Sequence, residues 1–150
     1  MAFTQIDHIG VAVPDLRTAI TIYCSIGGLE LVTVEENADQ RVAEAMLAGT
    51  APGPWLQLVA PLDEESPVAK FLADHRPGLH HLAYAVDDLA AEATRLAQQG
   101  VDLLYDEPRP GTAGTRVNFI HPRQSGGTLL ELVEGSQVRK EPTEGSRSST

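Results

Sequence analysis

The chain has 150 residues, 42% of them hydrophobic, and a formal net charge of −10. That length allows one compact domain or two small fused modules, and the acidic balance argues against nucleic acid, whose binders carry a basic patch. No stretch reaches the roughly 18–20 apolar residues of a membrane span, no basic-then-apolar leader opens the chain, so a cytoplasmic protein is expected, and the lone Cys24 excludes an internal disulfide or a cysteine-based zinc knuckle.

Residues 6–13 alternate. Ile9, Val11 and Val13 form one face, and His8, Gly10 and Ala12 the other, which is the period of a strand. The greasy face should pack on a helix, and the other suits a cavity wall. Pro14-Asp15 opens a predicted helix over 15–25, with Cys24 as a buried inert thiol and Gly27-Gly28 as its end. Strand-like runs follow at 29–34, 42–47 and 55–60. Ser66 and Pro67 start a short helix through Leu72, as N-cap and first helical residue. At 80–86 the alternation returns, with Leu82, Tyr84 and Val86 on one face and His81, Ala83 and Ala85 on the other. Asp87 or Asp88 caps a helix to about Gln99, and Gly100 ends it. Further strand-like runs lie at 101–105, 116–120 and 128–133, with a flexible glycine loop at 111–115. Beyond Glu134 the chain is nearly devoid of apolar residues, which predicts a disordered tail. The organisation is therefore a first βαβββ module (1–62), a connecting helix and linker (63–77), a second βαβββ module (78–134) and a tail (135–150). The fold class is α+β.

The two modules repeat in sequence. Asp7-His8-Ile9-Gly10-Val11-Ala12-Val13 superposes on His80-His81-Leu82-Ala83-Tyr84-Ala85-Val86, and Leu56-Gln57-Leu58-Val59 on Leu130-Glu131-Leu132-Val133. One repeat offset thus accounts for two pairs, His8 with His81 and Gln57 with Glu131. A lone strand histidine is more often structural than a ligand, but two pairs in register point to four metal-binding side chains meeting at one point. Gln57 and Glu131 each sit between leucines, where a buried amide or carboxylate needs a partner. Strand alternation turns His80 away from His81 as a structural residue. His75 and His121 fall in loops or at strand ends.

These repeats resemble the vicinal oxygen chelate superfamily, in which paired modules curl their sheets around one divalent metal. Longer blocks are similar to the methylmalonyl-CoA epimerase family: Ile6–Leu16, Pro61–Leu72, Gly78–Tyr84, Tyr105–Pro108, Arg116–Pro122 and Gly127–Leu132. The resemblance implies metal ligands at His8, Gln57, His81 and Glu131, and a non-ligand glutamate at Glu44. It implies one divalent ion per chain, Co, Mn, Mg, Ni or Fe, with Co favoured. The reaction implied is epimerisation of methylmalonyl-CoA through an enolate, with Glu44 exchanging the proton on one face and Glu131 on the other. Aligning Arg41 with Arg116 places Phe119 opposite Glu44 in the repeat. Gly114, Thr115 and Arg116 are the candidates for substrate contact, from backbone donors in a glycine loop and a nearby cation. A homodimer is expected. A glyoxalase-type isomerase and a metal-free drug-sequestering protein are the alternatives. The latter needs an aromatic-lined cleft, and aromatic residues are only 5% of the chain.

Overall fold

The computed structural model describes residues 3–136. The two histidine-bearing strands, β1 (Gln5–Ala12) and β5 (Gly78–Val86), pair antiparallel at the centre of one eight-stranded sheet. Each has a parallel neighbour, β4 (Trp55–Pro61) beside β1 and β8 (Leu129–Glu134) beside β5. One wing continues through β3 (Val42–Ala48) to β2 (Glu30–Asn37), the other through β7 (Arg116–Ile120) to β6 (Arg109–Pro110). The strand order is β2-β3-β4-β1-β5-β8-β7-β6. The expected α+β fold of two βαβββ halves is thus realised as a single mixed sheet. It curls into a half-barrel until its two ends touch. Asn37 Nδ2 donates to the Pro110 carbonyl at 3.1 Å, Arg109 pairs with Asp39 at 3.1 Å, and the Ala113 N–H donates to Glu35 at 2.6 Å.

The alternation read from sequence decides which face is covered. Helix α1 (Leu16–Gly27) buries Ala19 against Val11, Val13, Leu47 and Leu58 on the outer face. Helix α3 (Leu89–Ala97) buries Leu89 and Leu96 against Val86, Ile120 and Leu132. Each fully buried leucine or valine contributes roughly 1.5–3 kcal/mol of transfer free energy. Gly28 ends α1 in the left-handed region, at φ 62°, and its N–H donates to Cys24 O at 3.0 Å. Asp88, rather than Asp87, caps α3 through the Ala91 N–H. Helix α2 (Pro67–Asp74) begins as expected, with Ser66 Oγ accepting from Val68 N at 3.2 Å. It packs Val68, Phe71 and Leu72 on Ala12, Val42 and Val59, which lie on the inner face.

Four expectations are revised. No strand forms at 101–105. Asn118 takes the place of a ladder partner there, accepting from Tyr105 N at 3.0 Å and donating to Tyr105 O at 2.9 Å. Only two residues, Arg109 and Pro110, pair with β7 as β6. Glu44 does not correspond to Phe119. Glu44 pairs with Val59 and Val117 pairs with Val133, and since Val59 and Val133 are repeat equivalents, the counterpart of Glu44 is Val117. That residue is also not an acid. The 111–115 loop contains a 3₁₀ turn, Thr112–Gly114, held with Ala113 at φ 56°. Lastly, His80 does not face away from His81. The β1–β5 ladder slips once past Asp7 and once past His80. A bulge puts two successive residues opposite one, so alternation fails just before each histidine. Of the predicted tail, Gly135 and Ser136 are described, and Ser136 Oγ hydrogen-bonds Asp7. Residues 137–150 lie outside the described part.

Candidate active site

His8 on β1, His81 on β5 and Glu131 on β8 meet on the inner face, all buried. His81 Nε2 is 3.1 Å from Glu131 Oε2 and 3.2 Å from His8 Nε2, and His8 Nε2 is 3.6 Å from Glu131 Oε2. Neighbouring ligands of one octahedral ion, each about 2.1 Å from it, lie about 3 Å apart. The donor atoms therefore already have the spacing of a shared ion, and two imidazole nitrogens with a carboxylate are a sound set for a divalent metal. Gln57, on β4, is buried and lines the same cavity as His81 and Glu131. Its Nε2 donates to Thr112 Oγ1 at 3.0 Å, so Oε1 is the atom that could reach an ion. All four residues expected as ligands thus lie on one inner surface, three of them in direct contact.

The supporting residues are less symmetric. The His81 ring lies flat against the backbone of Gly10, and a Cβ there would stand 2.1 Å from its Cε1. Only glycine permits this approach. His8 Nδ1 is 2.6 Å from Asp7 Oδ2, whereas His81 Nδ1 is 2.8 Å from His80 Nδ1. Glu44 is buried on β3 and makes its hydrogen bond to Thr112, whose hydroxyl donates to Glu44 Oε2 while accepting from Gln57. Glu44 is thus tied to the ligand set without being part of the contacting cluster.

Electrostatics separate the acids. Burial drives Glu44 toward its neutral form; the Thr112 hydrogen bond opposes this, the charges of Glu131 and Glu35 add to it, and its pKa rises to about 7. Burial acts the same way on Glu131, but the charges and hydrogen bonds of His8 and His81 hold that carboxyl well below the usual range. In the metal-free protein, burial favours neutral His8. The Glu131 charge and the hydrogen bonds that the ring donates to Asp7 and Glu131 outweigh it, pushing the pKa up to about 9. His80 is driven down to about 4 by burial and by the charge of His81, against the opposing pull of Glu131.

Residues 7–119 match the family described as the glyoxalase/bleomycin resistance protein/dioxygenase superfamily. The chain belongs to this superfamily. It is similar to methylmalonyl-CoA epimerase from Mycobacterium tuberculosis, with 50% identity and a TM-score of 0.86 over 88% of each chain. It is also similar to a methylmalonyl-CoA epimerase variant from Streptomyces coelicolor in complex with 2-nitronate-propionyl-CoA. That match has 41% identity, a TM-score of 0.84, and covers 93% of this chain and 99% of the other. The ethylmalonyl-CoA/methylmalonyl-CoA epimerase of Cereibacter sphaeroides is 35% identical over 132 residues, 87% of this chain and 97% of that protein.

In this member of the glyoxalase/bleomycin resistance/dioxygenase superfamily, the 3₁₀ turn lines the site. Thr112 stands between two small cavities. One, of about 30 Å³, is lined by Glu44, Gln57, His81, Thr112, Phe119 and Glu131. The other, of about 20 Å³, is lined by His8, Trp55, Thr112, Ala113, Thr115 and Glu131. Of the three residues expected at the substrate, Thr115 borders the second cavity and Gly114 is exposed beside it. Arg116 is not brought to the site. It is exposed, with Nη1 3.9 Å from Glu134 Oε1, and borders a separate cavity of about 430 Å³ next to α3. Sequence reasoning missed Thr112, Gly10 and the roles of Asp7 and His80. For Thr112 the available signal was a hydroxyl next to Gly111 in a loop expected to contact the substrate.

Proposed function

We propose that this protein interconverts (2R)- and (2S)-methylmalonyl-CoA by removing the C2 proton on one face and returning it on the other. The observation that carries this reading is Glu44: a buried carboxylate outside the ligand cluster, with its pKa pushed up to about 7, sharing a cavity with a second carboxylate. An acid/base group works best when its pKa lies near the operating pH. Glu44 stands on β3 and Glu131 on β8, with β4, β1 and β5 between them, so curling brings the two to the cavity from opposite sides. Two-sided proton exchange needs that arrangement. Glu44 serves one face, aimed by the Thr112 hydroxyl, and Glu131 is assigned to the other. A divalent ion held by His8, His81, Glu131 and Gln57 Oε1 would supply positive charge against the negative charge that develops when the C2 proton leaves. The nitrogen and oxygen donors, with no thiolate, suit Co, Mn, Mg, Ni or Fe, and the resemblance favours Co.

Gly114 and Thr115 are assigned to contact with the acyl head, which the position of Thr115 on the second cavity supports; Arg116, beside Glu134 and a separate cavity, is given no part. The test is to incubate Co²⁺-loaded protein with (2S)-methylmalonyl-CoA in D₂O and follow deuterium at C2 and formation of the (2R) form. The hemithioacetal of methylglyoxal and glutathione serves as a control. Both exchange and inversion are expected; absence of C2 exchange, or turnover of the control alone, would replace the epimerase reading with another isomerase.

The protein is further proposed to act as a homodimer. The edge strand β2 exposes Leu31, Val32 and Val34, at 47%, 42% and 54% of their surface. An uncovered apolar edge is a site of association. Sedimentation at micromolar concentration should show a dimer, and a monomer alone would remove this element.

A further inference from the structure

The two ladder slips between β1 and β5 each release the residue just before a ligand histidine. In a regular strand, residues i and i+1 point to opposite faces. Here Asp7 and His80 instead turn to the same side as their neighbours and reach those rings at Nδ1, at 2.6 Å and 2.8 Å. The two contacts are repeat equivalents, built by equivalent distortions, but one partner is a carboxylate and the other an imidazole. His80 is itself held in place. The Phe71 ring of α2 packs edge-on against it at 4.9 Å, so the connecting helix braces the contact.

We propose that His80 is a positioning residue for His81: its Nδ1 accepts the His81 Nδ1–H, fixing the proton there and leaving His81 Nε2 free to bind an ion. His81 Nε2 faces Glu131 and His8, so it is the ligand atom, and a ligand nitrogen carries no proton. The proton must then sit on Nδ1, and the only function His80 Nδ1 can serve at 2.8 Å is that of acceptor. Asp7 does the same for His8. A neutral imidazole is a weaker acceptor than a carboxylate, so the two histidines are unequal ligands, His8 the stronger donor of electron density and His81 the weaker. Gly10 completes the placement from the other side by letting the His81 ring lie on the strand.

This inference rests on the metal reading above, and its test separates the two. Three variants are compared. His80→Leu removes the acceptor, His80→Gln keeps one through its amide oxygen, and His80→Asp supplies the carboxylate of the other half. Co²⁺ affinity is measured by competition with a chelator. A loss of about 10–100-fold is expected for His80→Leu, the usual effect of removing a partner behind a ligand. His80→Gln should stay close to wild type, and His80→Asp should bind at least as tightly as wild type. In parallel, Zn²⁺-loaded protein labelled with ¹⁵N at histidine, in which the ion occupies Nε2, reports the His81 Nδ1–H. A slowly exchanging, hydrogen-bonded Nδ1–H is expected in wild type and His80→Gln, and a rapidly exchanging one in His80→Leu. Equal affinity in all variants, or equal weakening by Leu and Gln, would overturn the proposal and leave His80 a packing residue. If wild type binds neither Co²⁺ nor Zn²⁺, the metal reading falls and this inference falls with it, an outcome distinct from an ion bound equally well by all variants.

Discussion

In the first half of the sheet the inner face carries Glu44 and Gln57. The equivalent positions of the second half carry Val117 and Glu131, and Phe119 and Val133 pack around Val117. The first half also offers Gly10 where the second has Ala83, and spans eight residues in β2 where β6 has two. A duplicated scaffold thus presents near-identical backbone positions, and substitution at a few of them leaves one half with the Glu44 carboxyl, its pKa raised, and the other with the ionised Glu131 beside the histidines. Symmetry places the donors around one point. Its loss makes the two sides of that point chemically different, as a reaction exchanging mirror-related faces of a substrate requires.

The largest effect on this comparison should come from His81→Ala, which removes the donor that makes the two shortest contacts in the cluster. Loss of metal binding and of activity is expected, checked by metal analysis and turnover. Retention of full activity after exhaustive chelation would deny the ion any role. Glu44→Gln should keep stoichiometric metal yet lose roughly 10²-fold or more in kcat, as general-base deletions do. Deuterium wash-in followed separately from each epimer should become one-sided. Exchange unimpaired from both would dissolve the distinction between the halves.

A paired exchange sharpens the backbone side of the comparison. Gly10→Ala forces a Cβ to within 2.1 Å of the His81 ring. It should destabilise the fold by about 1–3 kcal/mol, the cost of overpacking, and displace His81 from the ligand set. Ala83→Gly makes room where none is needed and should cost about 0.5–1 kcal/mol, with metal binding intact. Thermal melts and Co²⁺ titration read both.

The pH dependence of stability offers a subtler probe. Glu44 has its pKa raised from 4.5 to about 7 in the folded protein. Between those values the folded chain holds a proton that the unfolded chain has lost, so stability falls as pH rises and the loss is complete above the folded pKa. Metal-free wild type should therefore lose on the order of 3 kcal/mol relative to Glu44→Gln as pH rises from 4.5 past 7. Parallel pH profiles for the two proteins would mean that Glu44 is ionised at no such cost. The smallest expected effect is that of Glu35→Gln, which weakens the charge-assisted bond from the Ala113 N–H. Hydrogen exchange at that amide should accelerate by about tenfold.

His8, Gln57, His81 and Glu131 were legible because a side chain's face on a strand follows from counting by two, and the same count worked in both halves. The outer cores under α1 and α3 followed from the same alternation. The count failed at Asp7 and His80, because a bulge is a property of the ladder between two strands, and neither strand's own pattern announces it. The segment at 101–105 has strand-like valine, leucine and tyrosine, yet Asp102 interrupts it, and although the Leu104 N–H donates to Phe119 O of β7 at 2.8 Å, the buried Asn118 side chain takes both backbone groups of Tyr105. Thr112 was hidden for a different reason. It lies on a turn with Ala113 in the left-handed region, where no periodicity connects position to direction.

The ties between the two ends of the sheet, Asn37 to Pro110, Asp39 to Arg109 and Glu35 to Ala113, bear on how fast the protein can turn over. A space of about 30 Å³ suits a single water molecule, so the proposed acyl thioester would need the Thr112 turn displaced to enter it. Binding is then conditional on a pre-equilibrium. The apparent dissociation constant is the intrinsic one divided by the fraction of molecules that are open. Because Glu35 both fastens the turn and adds its charge to the field at Glu44, loosening the seam also lowers the proton affinity of Glu44. In the proposed reaction, admission of substrate and the proton affinity of the base would thereby be coupled through one side chain.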